Sequence, residues 1–320
     1  MVDFILELQQ QIEALWAETG AWSDLVEVMR LALVPQSTST TGTVGYLSRL
    51  ARLPGLCCQA AGGEFQWADR LTVAWLQFYA AADLMDSIQD QELDDPWQEV
   101  GGTAVALNAA TGLYFSASWA LNDLYKHQIS QDVAHGIVKD FYNNLLLMSG
   151  GQQREITNPE PTIEQYWQNA EAKSGAFFSL ACKGGARLGC SDLERVDKFA
   201  RMGNHLGLVI QLLDDLDEVR SPDRNGVPGQ KPEMARSLSA IYALEVSSTV
   251  KRARLREYLL DAPYNPTAAE EALKIIDASG ASIYILAEIE RHKTLALESL
   301  EITHPNQPAG DELAQLIHNL

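Results

Sequence analysis

"GLVIQLLDDLDEV" fills residues 207–219 and ends an apolar-periodic run in four acids, Asp214, Asp215, Asp217 and Glu218. In a helix, residues three and four apart share a face, so Asp214 lies with Asp217 and Glu218. Like charges at that spacing repel by about 0.2–0.5 kcal/mol per pair on an exposed helix, and by more once desolvated. A helix that ends this way either solvates its acids or completes them with a cation.

The same grammar recurs in "AADLMDSIQD" at residues 81–90. Asp83, Asp86 and Asp90 line one helical stripe, Ser87 lies off it, and the preceding "WLQFYAAADLM" is apolar around much of the helix. One acidic patch alone reads as a solvated face. Two patches, each closing a long apolar run, favour divalent cations over solvated faces. Mg²⁺ prefers hard oxygen ligands, accepts one or two carboxylates per ion, and fills its other positions with water and substrate phosphates. The EF-hand spacing with its central Gly is not found. Of the Glu-x-x-His pairs that a di-iron bundle needs, only Glu301 to His304 matches, and it abuts Pro305.

Outward from these stretches, the helical period dominates and alternating runs are scarce. The pattern predicts helices near 3–18, 22–33, 67–92, 101–126, 130–149, 162–187, 192–219, 233–259, 267–277 and 280–300, with a short one at the C-terminus. Breakers separate them, among them "NPEPT" at 158–162 and "SPDRNGVPGQKP" at 221–232. None reads as an interdomain linker. The expectation is a single all-α domain over 1–320: N-terminal helices and linker in 1–45, a catalytic core in 46–302 and a tail helix in 303–320.

The chain has 320 residues and a formal net charge of −19, which argues against nucleic acid as a partner, because phosphate contacts need a basic footprint. No apolar run reaches the roughly 18–20 residues that span a bilayer. The opening "MVDFILELQQQIEALW" reads as an amphipathic helix rather than a signal peptide. Cys57, Cys58, Cys182 and Cys190 show neither zinc nor disulfide spacing, so reduced, cytoplasmic thiols are expected.

Taken in order, five stretches resemble the polyprenyl diphosphate synthase family of class I isoprenoid synthases. "GLVIQLLDD" is similar to the family's second aspartate-rich motif, and Asp86 to Asp90 stands where the first has its DDxxD. "GGQQ" at 150–153 is similar to the Gly-Gln segment, and "AKSGAFFSLACKGGARLG" at 172–189 to the Lys-Thr helix, with Lys173 and Ser174 at the matching positions. "ARSLSAIYAL" resembles the Lys-Thr-Leu-Pro helix, with Arg236 at the Lys. The resemblance covers roughly residues 50–245.

It implies a bundle of about ten helices around a central cavity, with acidic clusters on two walls. It also implies three Mg²⁺ ions held by Asp86, Asp90, Asp214, Asp215 and Glu218, with Asp86, Asp90, Asp214 and Lys173 catalytic. Lys173, Gln211, Lys231 and Arg236 would hold the diphosphate of a small-molecule prenyl substrate. The loop 221–232, with Arg224 and Lys231, would be a lid. Phe78, Ala81, Ala82 and Phe177 would line the pocket. The small Ala81 and Ala82, five and four residues before the first motif, imply depth for farnesyl or geranylgeranyl diphosphate. A homodimer is expected by family analogy alone.

The departures concern the second substrate, isopentenyl diphosphate (IPP). The early Gly-Gly-Lys-Arg loop is missing, with Arg49 and Arg52 as remnants, and "QELDDPWQEVGG" has acids where the family has an Arg pair. A second diphosphate beside Glu92, Asp94 and Asp95 is repelled. The leading expectation is therefore terpene-synthase-like: ionisation of the allylic diphosphate and quenching of the cation without IPP. The alternative is a prenyltransferase joining the allylic group to IPP or another nucleophile. A third is a non-catalytic helical partner subunit.

Overall fold

The computed structural model describes residues 2–33, 50–90, 93, 95–126, 129–220 and 232–320. The fold is all-α, and the described residues contain no strand. In chain order the helices are α1 (Val2–Thr19), α2 (Ser23–Leu33), α3 (Leu53–Ala61), α4 (Asp69–Gln89), α5 (Asp95–Val100), α6 (Gly102–Asn122), α7 (Gln131–Thr157) and α8 (Ile163–Ala170). They continue as α9 (Ala176–Gly189), α10 (Leu193–Arg220), α11 (Leu238–Val246), α12 (Thr249–Asp261), α13 (Pro266–Ala278), α14 (Ala281–Glu301) and α15 (Ala309–His318). A π turn, Glu171–Gly175, joins α8 to α9, and a 3₁₀ turn, Pro232–Arg236, precedes α11.

The chain forms two compact units that interleave in sequence. The first holds Met1–Tyr142, Ala181–Phe199 and Thr303–Leu316, and the second holds Asn143–Leu180, Ala200–Ile302 and Ile317–Leu320.

In the first unit α4 packs along α6, with α1 and α2 beside them. A buried polar knot fixes three of these helices. The Trp16 indole N–H donates to Ser116 Oγ at 2.8 Å and to Gln77 Oε1 at 3.1 Å, and the Ser116 hydroxyl donates to the same Gln77 oxygen. Each buried polar group thus has a partner, as burial requires. Helix α3, which the sequence pattern missed, starts with Pro54 in its first turn, where proline's missing N–H is no loss. Arg195 then staples three segments together. Its guanidinium donates to the carbonyls of Ala60, Ala61, Thr303 and His304.

In the second unit α12 and α13 form a hairpin around Leu255, Leu259, Ala272 and Ile276. The helix expected over 233–259 is divided. Ser247 and Ser248 are extended, with ψ of 147° and 156°, so α11 ends and α12 begins there. The Arg252 guanidinium reaches back to the carbonyls of Leu244, Glu245 and Ser247. Those are acceptors that the last turn of a helix leaves without an intrahelical partner. The helix expected over 130–149 instead runs on to Thr157, straight through Gly150 and Gly151.

A histidine pair joins α10 to α14. The Arg291 guanidinium lies 2.8 Å from His292 Nε2, so that nitrogen accepts. His292 Nδ1 then carries the proton and donates to His205 Nδ1 at 3.1 Å. Burial, then Arg291 and His205, hold His292 down to about 4, and burial with Arg291 and Arg201 also lowers His205. Glu288 Oε2, 3.9 Å from His292 Nε2, is the nearby counter-charge. Because the folded value lies below the ordinary 6.5, the stabilisation is complete above pH 6.5 and is lost as pH falls towards about 4. Thermal unfolding should therefore show a midpoint that drops across that window, and His292→Gln should flatten the drop.

Candidate active site

Helix α8 opens with a capping box. Thr162 Oγ accepts from the Gln165 N–H at 3.2 Å, and Gln165 Oε1 accepts from the Thr162 N–H at 2.9 Å. Eight residues later the chain widens into the π turn "EAKSG", which contains Lys173 and Ser174. Single π turns inside α-helices recur at functional positions. Lys173 is half-buried, and its Nζ lies 2.7 Å from Glu155 Oε2 on α7. Gly151 permits this approach: a Cβ there would stand 3.2 Å from both Ala172 Cβ and Lys173 Cγ. The Gly-Gln segment thus has a steric reason, and Glu155, which the sequence reading missed, sits one turn after that glycine.

The opposite wall is α10. A Cβ on Gly207 would lie 2.2 Å from the Ser174 carbonyl oxygen, so only glycine lets the two backbones meet. One turn further on, the Ser174 hydroxyl donates to Gln211 Oε1 at 2.7 Å. Gln211 Nε2 donates to Asp215 Oδ1 at 3.2 Å, and the Leu238 N–H donates to Asp215 Oδ2 at 2.7 Å. Residues 207, 211 and 215 are spaced at i, i+4 and i+8, so they form one inward stripe.

This arrangement divides the acids of the second motif. Asp215 is buried, at 3% exposure, while Asp214 and Asp217 are exposed on the other side of α10. Burial pushes the Asp215 carboxyl up to about 6, against the hydrogen bonds from Leu238 and Gln211 that favour its charged form. The sequence reading expected Asp215 on a metal and Gln211 on a diphosphate. In the structure both Asp215 oxygens and both ends of the Gln211 amide have protein partners. The backbone of Glu218 belongs to α10, but its side chain lies outside the described residues, as does Lys231 together with the loop 221–231. Arg236 is half-buried at the end of its 3₁₀ turn.

The first motif belongs to the first unit. Helix α4 ends at Gln89, and Asp90 caps it, donating its N–H to the Asp86 carbonyl at 2.9 Å. Asp86 and Asp90 are half-buried, Asp83 is exposed, and the Ser87 hydroxyl bonds back to the Asp83 carbonyl at 3.1 Å. The Tyr114 phenol on α6 is raised first by burial and then by the charge of Asp86. Tyr114 is a second neighbour of the motif that the sequence reading did not assign to it.

The expected pocket residues are packed. Phe78, at 1% exposure, meets Tyr114 at 5.9 Å and Phe141 at 5.4 Å between ring centroids. Ala81 is buried and Ala82 half-buried. Phe177 stands edge-on to Phe178 at 5.7 Å, both buried. Core packing accounts for Phe78, Ala81 and Phe177 in this structure. Arg52, read as a remnant of a phosphate loop, pairs with Glu312 at 2.7 Å and lies over the Phe65 ring at 5.6 Å. Arg49, Glu92 and Asp94 lie outside the described residues.

Among the described residues no three His, Cys, Asp or Glu side chains converge as a ready-made metal set. Paired carboxylates such as Asp86 with Asp90 still suit Mg²⁺, which takes one or two per ion and leaves the rest to water and phosphate. No helix among the described residues is long and apolar enough to cross a membrane.

The profile of the polyprenyl synthetase family matches residues 59–276, and the chain belongs to that family. Solanesyl diphosphate synthase 2, chloroplastic, of Arabidopsis thaliana is 24% identical over 227 residues, 70% of this chain and 50% of that protein. Nonaprenyl diphosphate synthase of Mycobacterium tuberculosis is 28% identical over 240 residues, 73% and 69% of the two chains. The match thus spans about half the length of the Arabidopsis relative. Among solved structures, a geranylgeranyl pyrophosphate synthetase from the archaeon Geoglobus acetivorans superposes with a TM-score of 0.80 at 18% identity, covering 100% of this chain and 98% of that one. The fold is therefore that of the isoprenoid synthases. The relatives' names describe diphosphate synthesis, which favours the prenyl-transfer alternative over quenching without IPP.

Gly207→Ala should destabilise the protein by about 1–3 kcal/mol, because the new methyl group meets backbone rather than a movable side chain. Gly150→Ala, with nothing within 4 Å of its Cβ, is the control and should leave the denaturant midpoint unchanged or raised.

Proposed function

We propose that the chain is a Mg²⁺-dependent prenyltransferase that takes the allylic group of farnesyl or geranylgeranyl diphosphate and joins it to IPP or another nucleophile. The observation that carries this reading is the family match over 59–276, which contains both acidic stretches and the Lys173 turn. Asp86 and Asp90 from one stretch, with Asp214 and Glu218 from the other, would hold three Mg²⁺ ions. Bound Mg²⁺ supplies neutralisation of the diphosphate, making it a competent leaving group. Lys173, Arg236 and Lys231 would donate to the phosphate oxygens, Arg236 as a two-pronged fork. The bond from the allylic carbon to oxygen breaks, the diphosphate keeps the electron pair, and the allylic cation is attacked by the acceptor's electrons. The acceptor then gives up a proton. Water must be excluded while the cation exists.

One observation favours the second reading, quenching without IPP: residues 91–100, "QELDDPWQEV", contain no basic residue, where the family carries an Arg pair. One assay separates the two. Enzyme, Mg²⁺ and each allylic diphosphate are incubated with and without IPP, and the products are identified. A longer prenyl diphosphate formed only with IPP is the expected result. A hydrocarbon or alcohol formed from the allylic substrate alone assigns the second reading instead. Asp90→Ala and Asp214→Ala should each abolish diphosphate release while keeping the helical circular dichroism of the wild type. Wild-type release from either variant would remove the acids from the mechanism.

A further inference from the structure

We propose that Asp215, although it stands next to a motif acid, is a positioning residue that anchors the Arg236 segment to α10 and binds no metal. The proposal rests on the prenyltransferase reading only for what Arg236 contacts. The geometry argues it directly. Asp215 is buried at 3% exposure, one residue from the exposed Asp214, because adjacent positions on a helix point about 100° apart. Its Oδ2 accepts the Leu238 N–H at 2.7 Å, and Leu238 is the first residue of α11. That amide is among the first N–H groups of a helix, which have no intrahelical acceptor, and a carboxylate there also meets the positive end of the helix dipole. Ser237, the N-cap, accepts from the Ala240 N–H at 3.4 Å and donates to the Met234 carbonyl at 2.8 Å. The Asp215 bond and the Ser237 cap therefore fix the chain immediately after Arg236.

The other carboxylate oxygen faces inward as well. Asp215 Oδ1 takes the Gln211 N–H, and Gln211 in turn takes the Ser174 hydroxyl next to Lys173. One continuous hydrogen-bonded line thus runs from the lysine turn, through α10, to the arginine segment. Each Asp215 oxygen already accepts one of these bonds and the side chain is 3% exposed, so a cation would have to leave water and enter the packed interior to reach it. Asp214, on the exposed side, faces no such cost.

The test compares Asp214→Asn, Asp215→Asn and Asp215→Ala, each checked for native circular dichroism. Calorimetry with Mg²⁺ and inorganic diphosphate reads binding, amide hydrogen exchange at Leu238 reads the anchor, and steady-state assays read KM and Mg²⁺ dependence. Asp214→Asn is expected to raise the half-saturating Mg²⁺ concentration. The Asp215 variants should leave it within about twofold of wild type, raise KM by about tenfold or more for Ala, and speed Leu238 exchange. Asn, which keeps one acceptor oxygen, should restore part of the KM. Adding Arg236→Ala to Asp215→Ala should raise KM less than Arg236→Ala does in the wild type, because the two act through one contact. A rise in half-saturating Mg²⁺ in Asp215→Asn equal to that in Asp214→Asn would overturn the proposal, as would unchanged Leu238 exchange in Asp215→Ala. If wild type binds no Mg²⁺ and diphosphate, the prenyltransferase reading falls, and Leu238 exchange still decides the anchor.

Discussion

The arrangement of the second unit depends on one contact between backbones. Gly207 lets α10 touch the Ser174 carbonyl in the π turn, and no side chain fits between them. Once that distance is fixed, the residues one and two turns along have no choice of partner. Gln211 meets the Ser174 hydroxyl, and Asp215 meets Gln211 and the start of α11. The π turn itself follows from the same requirement. An α-helix continuing from α8 would rotate Lys173 and Ser174 by a fixed step; the extra residue shifts them so that Ser174 addresses α10 while Lys173 addresses Glu155.

Two neighbouring aspartates then acquire opposite characters from rotation alone. Asp214 stays in water at ordinary cost. Asp215 goes inside, where its charge is opposed by burial and held by hydrogen bonds, so its carboxyl rises to about 6 rather than further. A buried acid without those donors would cost several times the worth of an ordinary hydrogen bond. The donors are the main-chain amide of a helix start and the amide of Gln211, both of which need an acceptor in any case. The acid and its partners satisfy one another.

Much of this was legible in the residues. The apolar period located most helices, and the i, i+3, i+4 rule put Asp86 with Asp90 and Asp214 with Asp217 and Glu218, but Asp215 was grouped with Asp214 as a metal ligand. What the sequence could not supply was which side of α10 faces inward, because "VIQLLDDL" is apolar on more than one face. Gly207 was the available signal, since a glycine inside an otherwise strong helix marks close approach. The break at Ser247–Ser248 was missed because serines alone rarely end a helix; the Arg252 guanidinium that closes α11 lies four residues downstream of that break. The leading expectation of quenching without IPP leaned on missing basic motifs. The relatives weigh towards prenyl transfer, and the loop positions that carried much of that argument, Arg49, Glu92 and Asp94, lie outside the described residues.

The Lys173–Glu155 pair bears on how such a site would choose its ligand. At 2.7 Å the ammonium already has a carboxylate, so an incoming anion gains only the difference between its own attraction and that of Glu155. A singly charged anion gains little by such an exchange. A diphosphate brings several charges and more acceptor oxygens to the same ammonium, and its attraction grows with charge at equal distance and dielectric. The resting ion pair also holds the ammonium in place beside α7, so less side-chain freedom is lost when a ligand arrives. A site built this way discriminates by charge density rather than by shape. That is the property a chain this acidic needs if it is to admit a polyanion at all.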